Sequence, residues 1–212
     1  MEVEQALADL AEVRERLASC QQFRGYSSIA TAFSGVAAVA AGLVQSVVAP
    51  QPVTEAQVHL YLSIWLICLA CALASYYGSL AVWYMQNAGL RARSQTKSAG
   101  LAILPGLALG AVLTVALLLH NVTALLPGIW YACYGVALLA SRAMVPRGVM
   151  PLAVFFGLAG AALLLLPDPQ TALVWWIMPL GFGLGQIYIG WLLKRDDLQT
   201  LENSYAGTKS AS

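Results

Sequence analysis

Charge is what this 212-residue chain has least of: Lys, Arg, Asp and Glu together make up 10% of positions, against about 25% in an ordinary soluble domain. Six long stretches have none of these residues: Tyr26–Ala49, His59–Trp83, Gly100–Leu119, Val122–Ser141, Val149–Leu166 and Thr171–Leu193. Proton-coupled carriers and pumps mark their pathways with buried ionisable groups, so that absence argues against them. It argues equally against hydrolytic intramembrane chemistry, which needs a nucleophile with a base, paired aspartates or a histidine-rich metal motif. No enzyme is therefore expected. Four cysteines are too few and too dispersed for a disulfide framework, since Cys68, Cys71 and Cys133 lie inside apolar stretches and only Cys20 lies outside. The first residues are acidic and no short apolar leader follows them, so no cleavable signal is expected. A formal net charge of +1 points to no nucleic-acid partner.

What is present is hydrophobicity, at 59% of residues. A helix needs about 17–25 residues to cross a bilayer core of about 30 Å, and each of the six stretches is long enough. Strict apolar–polar alternation is missing, which excludes barrel strands, and unpaired backbone groups are not tolerated in lipid. The expected fold is all-α and polytopic: six transmembrane helices over 26–49, 59–83, 100–119, 122–141, 149–166 and 171–193, read as three helical hairpins within 23–195. All eleven basic residues fall on one side of this layout: Arg14, Arg16 and Arg24; Arg91, Arg93 and Lys97; Arg142 and Arg147; Lys194, Arg195 and Lys209. The alternate turns have none, so the positive-inside rule puts both termini in the cytoplasm, in a cell (inner) membrane. Glu55 and Asp168, in the outer turns, read as turn chemistry. Asn121-Val122-Thr123 has the form of a glycosylation sequon, but it abuts two spans and reads as chance.

The ends of the chain differ from its middle. Residues 1–22 read as a cytosolic amphipathic helix, with Val3, Ala6, Leu10, Val13, Leu17 and Cys20 recurring in steps of three and four. Acidic residues lead it and Arg14 and Arg16 trail, matching the helix dipole. Its acidic face suits a protein partner or a second copy better than anionic headgroups, so residues 1–20 are expected to support homo-oligomerisation or a cytosolic partner, while the bilayer surrounds the spans. Residues 196–212 read as a polar, disordered tail. All six tryptophans lie in the returning spans, and Trp65 and Trp130 each precede a cysteine by three positions, which suggests repeated hairpins.

The stretch "LGFGLGQIYIGW", Leu180–Trp191, is the one that resembles a binding motif. A dinucleotide fingerprint fails at Gln186, a phosphate-binding loop needs a Gly-Lys pair, and both need a preceding strand. Gly181 and Gly185 instead form a small-residue step for helix packing, as do Gly106 with Gly110 and Ala70 with Ala74 and Gly78. Pro179 removes a backbone hydrogen bond and is expected to kink the sixth span. Gln186, Thr31, Ser34, Ser75 and Ser79 share the cytoplasmic half and, together with the kink at Pro179, are candidates to line a cavity. His59 and His120, at the outer ends of spans two and three, are candidates for a metal or haem together with Cys68, Cys71 or Cys133 deeper in, but no ligand cluster of diagnostic spacing accompanies them. No cofactor is expected.

The run "LADLAEVRERLASCQQFRGYSSIATAFSGVAAVAAGL", an acidic helix leading into a small-residue span followed by five more spans and a short polar tail, resembles a loose group of small six-span bacterial inner-membrane proteins. The resemblance implies a bacterial inner-membrane setting and carries over no functional residue. The leading expectation is a non-enzymatic membrane protein that mediates assembly or regulation through its cytosolic helix and small-residue faces. A transporter or channel for a small neutral or apolar molecule is the alternative, and a haem- or metal-binding electron-transfer subunit is the third.

Overall fold

The computed structural model describes residues 27–86, 97–98, 100–142 and 144–210, with the side chains of 200–210 excepted. The expected amphipathic helix of residues 1–20 lies outside the described residues. Among the described residues the chain is all-helical, without strands. Its main helices are α1 (Ser28–Val48), α2 (Glu55–Gln86), α3 (Leu104–Leu119), α4 (Leu126–Ala140), α5 (Met150–Leu164) and α6 (Leu184–Ser210). Five helical stretches are long and apolar enough to cross a membrane: Ser28–Val48, Glu55–Gln86, Gly100–Leu119, Thr123–Ala140 and Arg147–Leu164.

Local sequence explains where these helices start. Ser27 caps α1, its hydroxyl accepting the Ala30 N–H at 3.1 Å. In α3, α4 and α5 a proline occupies the first turn, where its missing N–H costs nothing. The reversal between α3 and α4 is tight because Asn121 takes a left-handed conformation (φ 56°), which asparagine tolerates better than most residues. Asp168 opens a single-turn helix over Pro169–Leu173 by accepting the Gln170 N–H at 3.1 Å, the turn role expected of it.

The sixth apolar stretch departs from expectation. One continuous span over 171–193, kinked at Pro179, is the expectation. Instead the chain makes the short turn over Pro169–Leu173, resumes at Ile177, widens into one wide (π) turn over Pro179–Gly183, and only then continues as α6. The tail from residue 196, expected to lack structure, extends α6 as far as Ser210.

Packing also departs from three side-by-side hairpins. α1 packs along α2 and α6, and α4 packs along α5 and α3, so the helices form two groups of three. α5 and α6, neighbours in sequence, belong to different groups. The groups meet through a core that includes Tyr61, Trp65, Tyr131, Phe156, Leu173 and Met178. At the other end of α2, Leu80 packs with Met144 of the α4–α5 turn. Between α2 and α3 there is no comparable packing among the described residues.

A neutral cavity and the broken sixth helix

The break in the sixth stretch has a chemical cause. Pro179 has no N–H to give, so the helical ladder is already interrupted. Tyr131 of α4 reaches this stretch: its hydroxyl donates to the Ile177 carbonyl and its ring lies against Gly181. A side chain that inserts into a helical ladder bends or widens it locally. Gly181 is required there, because a Cβ at that position would meet the Tyr131 ring and hydroxyl.

Around this junction four rings gather. Tyr131 and Tyr134, one helical turn apart on α4, pack with Phe156 of α5 and Phe182 of the wide turn, with ring centroids 4.8–5.3 Å apart. Gly185 leaves room for Phe156, whose ring a Cβ would approach at 3.0 Å. The cluster fixes Tyr134 so that Gln186 Nε2 donates to its hydroxyl at 2.5 Å. Gln186 thus faces a neighbouring helix and, as follows, a cavity as well.

That cavity, of about 720 Å³, lies between the two groups of helices. Its wall includes residues of α1, α2, α3, α4 and α6 and, among the described residues, contains no Asp, Glu, Lys, Arg or His. Along α3 it runs from Leu104 to Leu118, fourteen residues or about 21 Å at about 1.5 Å per residue. Leu66 and Leu69 of α2 and Val115 of α3 both line it and are exposed, which places its mouth at the unpacked seam between α2 and α3. Ligand pockets typically measure about 300–1,000 Å³ and combine an apolar lining with few polar groups.

Most polar groups on the wall are already committed. Thr31, Ser34, Ser79, Thr114 and Ser141 each donate to a carbonyl of their own helix or its capping residue. Thr114 also accepts Trp130 Nε1 at 2.8 Å. Trp65 Nε1 is held by Gln45 Oε1 at 2.8 Å, while Gln45 Nε2 donates to the Leu173 carbonyl at 2.8 Å. Gln45 is fully buried and joins α1, α2 and the Pro169–Leu173 turn.

The expected site residues divide accordingly. Gln186, Thr31, Ser34 and Ser79 line the cavity; Pro179 and Ser75 do not. Pro179 instead packs against Gly42 of α1, and Ser75 donates to the Cys71 carbonyl. Among the packing residues, Gly181 and Gly185 receive Tyr131 and Phe156, whereas Gly106 and Gly110 face Ala137 and Cys133 of α4. Ala70, Ala74 and Gly78 lie on an exposed face of α2, and nothing stands within 4 Å of where a Gly78 Cβ would be. His59 and His120 are exposed, His59 beside Glu55 at 3.7 Å. No group of three or more His, Cys, Asp or Glu gathers among the described residues.

Sequence reasoning missed Tyr131, Tyr134, Thr114, Trp130 and Gln45. Gln45 had a visible signal, being an amide inside an apolar stretch. The others had none, because tyrosine, threonine and tryptophan are unremarkable in such stretches until their partners are placed. No protein-family model, curated protein or solved structure matches the chain.

Proposed function

We propose that the chain is a six-pass membrane protein, both termini in the cytoplasm, that binds and moves a small neutral or apolar molecule through the cavity between its two groups of helices. The crossing count rests on the five long apolar helices together with the interrupted stretch from Ile177 to Leu193. Orientation rests on the one-sided distribution of Lys and Arg. One observation carries the functional reading: a cavity of about 720 Å³ whose wall, among the described residues, has no charged side chain and whose mouth is flanked by exposed leucine and valine. A charged solute would lose its hydration there with nothing to replace it. An apolar one would enter from lipid without that cost.

Single cysteines test this reading, introduced at positions 34, 79 and 186 in a chain whose four native cysteines are replaced. An uncharged maleimide should label all three, and Ala111→Trp, placed on the α3 wall, should protect them while leaving a cysteine at 75 unchanged. Failure to label position 186 under any condition would overturn it.

Assembly is the second reading, and the exposed Ala70–Ala74–Gly78 face of α2 favours it, since small residues four apart let another helix approach closely. The other two small-residue steps are occupied within the chain. Under this reading Gly78→Leu, or removal of residues 1–20, lowers the oligomeric mass in detergent. An unchanged mass in both variants would reject it.

A further inference from the structure

The Tyr134–Gln186 pair on the cavity wall narrows what it takes. Resting on the carrier reading above, we infer that the ligand is a single hydrocarbon chain bearing one uncharged oxygen, such as a long-chain alcohol, with the oxygen at Tyr134–Gln186 and the chain along the α2–α3 seam.

Three observations support this class. First, the other wall hydroxyls named above donate within their own helices, and the Trp65 and Trp130 indoles are held by Gln45 and Thr114. Donor capacity persists at Tyr134–Gln186. With Gln186 Nε2 donating to Tyr134, the tyrosine proton is unspent, and with the amide turned over, the two amide protons are. Either arrangement offers a hydrogen bond to one incoming oxygen. Second, along about 21 Å of α3 the wall is apolar apart from Thr114, whose hydroxyl is already bonded, which suits an extended chain better than a compact solute. Third, the mouth lies between exposed apolar side chains of α2 and α3, so a chain can slide in sideways while its polar end stays in the interior. A carboxylate or phosphate end is disfavoured because no cation among the described wall residues would compensate its burial.

The test equilibrates purified full-length protein in detergent with equal amounts of deuterated 1-hexadecanol, hexadecane and hexadecanoate and measures what is retained by mass spectrometry. Hexadecanol should exceed hexadecane about fivefold, the effect of one net hydrogen bond, and hexadecanoate should be retained least. Gln186→Leu combined with Tyr134→Phe should bring the alcohol-to-alkane ratio down to about one, and continued retention of the alkane reports that the variant is folded. Equal retention of alcohol and alkane by the unmodified protein, or preference for hexadecanoate, overturns the ligand class but leaves the cavity in place. If nothing is retained, and Ala111→Trp therefore changes nothing, the carrier reading fails and this inference with it.

Discussion

Replacing Gln45 by leucine should be among the most destabilising near-isosteric changes available in this chain. The side chain is fully buried, and its amide joins Trp65 Nε1 to the Leu173 carbonyl, both at 2.8 Å. Leucine fills a similar volume but offers neither a donor nor an acceptor, so an indole N–H and a carbonyl lose their partner together. Interhelical hydrogen bonds in membrane proteins average about 0.6 kcal/mol, which sets a floor of about 1.2 kcal/mol for the two. Each buried group left unsatisfied costs about 1–3 kcal/mol, a ceiling of about 6 kcal/mol. A loss of about 2–4 kcal/mol is expected, because both partners sit where the chain packs tightly. The assay is reversible unfolding in mixed micelles, completed as a cycle with Trp65→Phe. Removing the indole N–H removes one of the two orphans, so the double variant should be less destabilised than the sum of the singles by about 1 kcal/mol. A single-variant loss under about 0.5 kcal/mol, or strict additivity, would refute the reasoning.

Other outcomes follow from the same geometry. Gly181→Ala should cost about 1–3 kcal/mol through overpacking against Tyr131, and Tyr131→Leu in the same chain should recover part of that loss in an unfolding assay. Gly160→Ala drives a Cβ to within 2.5 Å of the Ala132 nitrogen and should be similarly costly, whereas Gly78→Ala, with open space around it, should stabilise α2 by about 0.5–1 kcal/mol. Because no carboxylate, imidazole, Lys or Arg lines the cavity among the described residues, retention of a neutral ligand should stay flat between about pH 5 and 8, the range in which histidine titrates; a step in that range would contradict the assignment of the wall.

Helix content was legible because it depends on local features. Long uncharged stretches, prolines at first turns and a capping serine act over a few residues each. The interruption at Pro179 was legible in kind, since a proline always removes an N–H, but its form was not. The widened turn is contacted by Tyr131, 46 residues before Ile177, and a tyrosine in an apolar stretch gives no sign of which helix it will meet. Grouping of the helices was hidden for a related reason. Sequence order suggests that α5 and α6 pair, but glycines such as Gly35, Gly42, Gly183 and Gly190 admit α1 and the sixth stretch to one another, and that surface match outweighs a short connection. Of the expected cavity residues, those on faces turned between the two groups line it. Ser75, four residues before Ser79, should have shared that face by helical periodicity alone, yet it is turned away.

The cavity itself is the central claim, and an experimental density map of the protein in lipid nanodiscs tests it most directly. The account predicts α2 and α3 apart along the seam, with elongated non-protein density reaching Gln186 and Tyr134. Direct contact between α2 and α3, with Leu66, Leu69 and Val115 interlocked and no space beside Gln186, would contradict it.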